Sequence, residues 1–186
     1  MSMPENVEYT VVLLFPGYGE QREIAEQFVG DALAHLNIPN YAPGFRFAPN
    51  VTAHLEVVSD IGAAEEILQT DRDLAMMILH DLPAEPRTAL SEACSDKNVM
   101  ICHTITDGPR RRKSRGKQGE LKIVFSKAPE NEPRAHRLSA STLTEPIDFD
   151  DKNELEQRMD QVIAILALGV MEHHWRRHPP VYEMVE

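Results

Sequence analysis

Runs of apolar and β-branched residues alternate along this chain with stretches whose apolar positions recur every three to four residues. That alternation predicts strands interleaved with helices, and so a parallel sheet covered by helices. Residues 7–15 form the first predicted strand, and Pro16 and Gly17 stop it. Ile24, Phe28, Ala32, Leu33 and Leu36 then keep helical spacing across residues 20–36. Residues 37–50 combine Pro39, Pro43, Gly44 and Pro49 with Tyr41, Phe45 and Phe47. This composition predicts an ordered aromatic flap that covers a site or caps the core.

Residues 54–58 read as a second strand, and residues 62–69 as a short helix with Ala63, Ile67 and Leu68 inward. Residues 74–79, LAMMIL, are apolar throughout, which predicts a central strand buried on both faces. A helix follows Pro83 and Pro86 to about residue 95, and residues 99–105 give a fourth strand. After a charged insertion at 108–120, residues 121–125 read as a fifth strand and 137–143 as a short sixth. Asp151, with Glu154 three positions on, matches an N-cap for a long helix over 151–177, which Pro179 and Pro180 close. Within it, residues 162–171 are apolar on nearly every side, with Ile165 and Leu168 off the main stripe. A second burial surface is then needed. A two-fold homodimer through this helix supplies one, with Gly169, Ala164 and Ala167 allowing close approach, and a covering loop supplies another.

A length of 186 residues accommodates one domain with a full core, so residues 1–186 are read as a single α/β domain. The formal net charge is −11. Arg110, Arg111, Arg112, Lys113, Arg115 and Lys117 hold six of the 19 basic residues, leaving 13 against 30 acidic residues elsewhere. An acidic body disfavours nucleic acid as a general partner and argues against a membrane surface, while the local basic loop is a candidate for phosphate or nucleic-acid contact. No aromatic residue is interleaved with those arginines, so a stacking platform for single strands is missing. Cys94 and Cys102 lack disulfide-framework or zinc-ligand spacing, and the first ten residues lack a basic-then-apolar leader. Together these predict a cytoplasmic protein.

Ligands of open α/β sheets sit beyond the carboxyl ends of the strands, where the strand order reverses. Gly17, Tyr18 and Gly19, the pair His80 and Asp81, and His103, Thr104 and Asp107 all fall at or just after predicted strand ends. Gly17, Tyr18, Gly19 and Asp107 are therefore candidate ligand-binding positions. The glycine turn either exposes backbone N–H groups to an anion or merely supplies positive φ, and Glu20 and Glu23 count against the anion. His80, Asp81, His103 and Thr104 are the candidate acid/base group. No glycine-flanked serine or cysteine nucleophile accompanies them, and no cofactor-binding set emerges. His174 and His178, at i and i+4 near the end of the last helix, have the spacing of two metal ligands, although histidines there also suit the helix dipole.

The segments HLEVVSDIGAAEEILQTDRDLAMMILHDLP and RLSASTLTEPIDFDDKNELEQRMDQVIAIL resemble, in their order of elements, the response-regulator receiver family and the wider flavodoxin-like group. The resemblance implies a three-layer flavodoxin-like domain with a central, mostly parallel five-stranded sheet. It does not bring the receiver's chemistry. Phe15, Pro16 and Gly17 occupy the place of the acidic pair, Ile78 that of the phospho-acceptor aspartate, and Glu145 that of the lysine. Thr104 alone has a counterpart. The expectation is a non-catalytic receiver-like interaction or signalling module with a possible protein partner. The alternatives are a small-molecule or nucleotide-binding enzyme using the strand-end face, and nucleic-acid binding through the basic loop.

Overall fold

The computed structural model of the chain describes residues 5–17, 19–38, 47–105, 136–146 and 150–179. Tyr18, Asp107, the basic loop from Arg110 to Lys117 and the predicted strand at 121–125 lie outside the described residues.

The described elements are β1 (Val7–Leu14), α1 (Glu20–Leu36), β2 (Val51–Val58), α2 (Ile61–Thr70), β3 (Leu74–His80), α3 (Ala84–Asp96), β4 (Met100–Ile105), β5 (His136–Ser139), α4 (Ala140–Thr144) and α5 (Lys152–Arg177). The five strands form one sheet in the order β2-β1-β3-β4-β5, and every neighbouring pair is parallel. This 2-1-3-4-5 order is the flavodoxin-like one, with its switch point between β1 and β3. Every residue of β3 is buried, as the central position of LAMMIL demands.

Alternation of side chains along the strands divides the core in two. Val11, Leu13, Met76, Ile78 and Cys102 face α1 and α5 on one side of the sheet. Val12, Leu14, Met77, Leu79 and Ile101 face α2 and α3 on the other. Local signals set the helix starts. Gly19, at φ 125°, precedes α1, and the Asp60 and Asp151 carboxylates accept from the Ala63 and Glu154 amides at the starts of α2 and α5.

Two expectations change. Ala64, rather than Ala63, is the buried small residue of α2, beside Leu68. Residues 140–143 turn into α4 after the four-residue strand β5, so the stretch read as a sixth strand is a strand followed by helix. Of the aromatic flap, residues 39–46 lie outside the described residues, and both of its described ends lie at the amino edge of the sheet, where an αβ connection must run. There the Asn37 side chain brackets the backbone of Ala53, and buried Phe47 joins the core beside α1.

α5 buries most of its circumference within the chain. Val162, Leu166, Gly169 and Val170 are buried, and Ile165 packs at the edge of the core, leaving Leu168 and Trp175 as its exposed large apolar residues. Gly169 packs against the sheet: a Cβ there would sit 2.6 Å from Met76 Sδ. Met76 is fully buried, so its thioether would have to shift within the core. Gly169→Ala should therefore lower stability by about 1–3 kcal/mol through overpacking. Met76→Ala should recover part of that loss in the double variant, giving a non-additive cycle in urea unfolding.

Candidate functional site

Register and parity bring three side chains together at the carboxyl edge. His80 and Thr104 are partners across β3 and β4, and both project from the α1/α5 face, as does Phe15 just beyond β1. His80 Nδ1 lies 2.7 Å from Thr104 Oγ1. The imidazole stacks on Phe15 with ring centroids 4.1 Å apart and planes 7° from parallel. Phe15 is buried, its backbone N–H donating to Val58 O at 2.9 Å, so the ring under His80 is fixed from both β1 and β2. Thr104 is wholly buried, and His80 is 8% exposed. Burial holds the His80 pKa below the usual histidine value, and the nearby Asp81 charge opposes that shift without cancelling it.

Asp81, immediately after β3, takes a left-handed backbone with φ 48°. This is an uncommon conformation for a residue with a side chain, although aspartate tolerates it better than most. Its N–H donates to Thr104 O at 2.7 Å while its side chain is exposed. The backbone reversal thus ties the ends of β3 and β4 together beside the imidazole. Gly17, at φ 101°, and Gly19, at φ 125°, turn the chain between the end of β1 and α1. A Cβ at either glycine would meet nothing within 4 Å, so backbone conformation rather than crowding selects glycine at both.

The remaining candidates do not join this group. His103 belongs to the opposite face of β4, where its Nε2 lies 3.5 Å from Ser91 Oγ of α3, so His80 and His103 cannot form one acid/base pair. Cys94 and Cys102 are buried, and burial pushes both thiols up to about 12, which makes them core residues rather than nucleophiles. His174 Nδ1 lies 2.6 Å from the hydroxyl of fully buried Tyr9, and the rings of His174 and His178 are 5.0 Å apart. Among the described residues no group of three or more histidine, cysteine, aspartate or glutamate side chains is placed to hold a metal. His174 packs against Tyr9 at this end of α5. Among the described residues no helix is long and apolar enough to cross a membrane.

The sequence already marked His80, Asp81, Thr104, Gly17 and Gly19. Phe15 was missed as a site residue, although the alternation of β1 places it on the same face as Val11 and Leu13. The receiver-like positions have become structural: Ile78 is 1% exposed in the core, and Phe15 fills the place of an acid.

No protein-family model matches the sequence, and no curated protein sequence matches it. Among solved structures the chain is similar to the crystal structure of diflavin flavoprotein A3 from Nostoc sp., at 13% identity and a TM-score of 0.38, over 94% of this chain and 100% of that one. The expectation of a non-catalytic receiver-like signalling module gives way to its alternative, a small-molecule site on the strand-end face, because His80, Phe15 and Thr104 are held in fixed contact at the switch point.

Proposed function

We propose that this protein binds a small molecule in the crevice at the carboxyl ends of β1 and β3, with His80 in contact with it. One observation carries the reading: His80 is stacked on Phe15 and anchored to buried Thr104 at the switch point, and these contacts fix its orientation. Sheets of this order take their ligands at that position. A titratable side chain held in place there by buried neighbours also matches the general form of a small-molecule site.

The flavodoxin-like order raises flavin mononucleotide as an occupant. The described residues do not fit its phosphate. The first turn of α1 carries Glu20 and Glu23, which outweigh Arg22, and no side chain caps that terminus. Both acids compete with an anion for the positive end of the helix.

The test is ligand-induced thermal stabilisation of the full chain by a panel of nucleotides and uncharged heterocycles. A ligand at 100 times its Kd should add about 2.7 kcal/mol of stability. His80→Gln and Phe15→Leu should each abolish that shift while leaving the unliganded protein folded by circular dichroism. Stabilisation that persists unchanged in His80→Gln would place the ligand elsewhere and refute the reading.

A further inference from the structure

We infer that His80 presents an Nε2–H donor to the crevice and that the ligand meets it with an uncharged acceptor, a carbonyl oxygen or ring nitrogen, rather than a phosphate. This rests on the proposed ligand site. The Thr104 hydroxyl fixes the tautomer. Thr104 is 0% exposed, and the partner of its hydroxyl is His80 Nδ1 at 2.7 Å. A buried hydroxyl that donates to nothing costs about 1–3 kcal/mol, so Thr104 donates and Nδ1 accepts. The neutral imidazole has one N–H, and with Nδ1 accepting, that hydrogen resides on Nε2.

The ring geometry directs this donor. Nδ1 is engaged on the β4 side, one ring face lies on Phe15, and Nε2 is on nearly the opposite ring edge from Nδ1. Nε2 has no hydrogen-bond partner among the described residues and is not sealed from solvent. A ring more than nine-tenths buried thus keeps one polar atom open to the crevice.

Protonation of the ring would place a hydrogen on Nδ1 as well. The Thr104 hydroxyl would then have to turn from donor to acceptor, and its own hydrogen would find no other acceptor among the described residues. His80 is therefore built to stay neutral and to donate, so it is not the base that the candidate acid/base group would require. A neutral imidazole donor suits a carbonyl oxygen that is to be held or polarised. Charge at the same edge disfavours an anion: Glu20 and Glu23 open α1, and Asp81 follows His80 directly.

Long-range nitrogen–proton correlation spectra of the ¹⁵N-histidine-labelled full chain at neutral pH test both parts. The His80 signals are assigned by their loss in His80→Gln. The expected result is one tautomer, with Nε2 protonated and Nδ1 of acceptor type, and an Nε2–H resonance that moves saturably with nicotinamide or uracil but not with inorganic phosphate. An Nδ1–H tautomer or an imidazolium at neutral pH would overturn the inference. Movement with phosphate and not with either amide would overturn the ligand class while leaving the site in place. If neither these probes nor any member of the thermal-shift panel disturbs His80, the ligand site itself fails, and the inference fails with it.

Discussion

Arg158→Ala should destabilise the protein by roughly 3 kcal/mol, a fall in Tm of about 6–12 °C for a chain of this size. Arg158 is only 9% exposed, and its guanidinium serves two purposes. Nε and Nη2 donate to Thr142 O at 3.1 and 2.8 Å, and Nη2 also donates to Glu145 O at 3.1 Å. These carbonyls lie at the end of the five-residue helix α4, where backbone acceptors lack partners within the helix. The guanidinium also sits 5.0 Å from the centroid of the Phe28 ring of α1. One side chain of α5 thereby ties together α1, α4 and the chain leading out of α4. Alanine removes these donors from two part-buried carbonyls. Lysine should recover less than half of the loss, because a single ammonium cannot span Thr142 O and Glu145 O as the guanidinium does. Urea unfolding of Arg158→Ala, Arg158→Lys and the exposed control Glu156→Ala checks the order. A change within 0.5 kcal/mol for Arg158→Ala, the range of ordinary surface substitutions, would reject the tie.

The features legible in the sequence were those set by neighbouring residues. α1 spans Glu20–Leu36 as its spacing predicts, Asp151 caps α5, and the unbroken apolar run of β3 lies at the sheet centre. The missed features depend on partners distant in the chain. An arginine on an amphipathic helix ordinarily reads as solvated, and nothing nearby announces that Arg158 will find carbonyls 13 and 16 positions earlier. His80 and Thr104 are 24 positions apart, and only the parallel register brings them opposite one another. His80 and His103 looked equivalent as strand-end histidines until parity sent them to opposite faces. The direction of α1 assigns the described ends of 37–50 to the amino edge, and Phe47 packs into the core there, in keeping with the aromatic composition of the segment. The fit of Gly169 against Met76 is likewise not a local property.

The protein should lose stability steadily between about pH 6.5 and 5, above the ordinary carboxylate range. Three histidines hold the argument. His80 is described above. His173 lies on α5 with Nδ1 2.7 Å from Asn98 O and its ring edge-on to Tyr9. Burial holds its pKa below the usual value, against the hydrogen bond to the Asn98 carbonyl, and nearby Arg177 and Arg176 also lower it while Asp73 opposes them. Its Nε2 is buried with no hydrogen-bond partner among the described residues. His174 is likewise held down, first by burial and then by His178, His173 and Arg177. Each of the three therefore binds a proton less readily folded than unfolded. Above about pH 6.5 both states are neutral at these positions and the histidines add no pH dependence. As the pH falls below that value the unfolded chain takes up protons that the folded chain refuses, so stability drops by at most about 1.4 kcal/mol per pH unit for each group. The drop ends once the folded-state pKa is passed. His173→Gln and His174→Gln in one chain should flatten the slope without requiring the absolute stability to be preserved. Urea midpoints at several pH values in this window decide it, and parallel slopes for the parent and the double variant would exclude the α5 histidines as its cause.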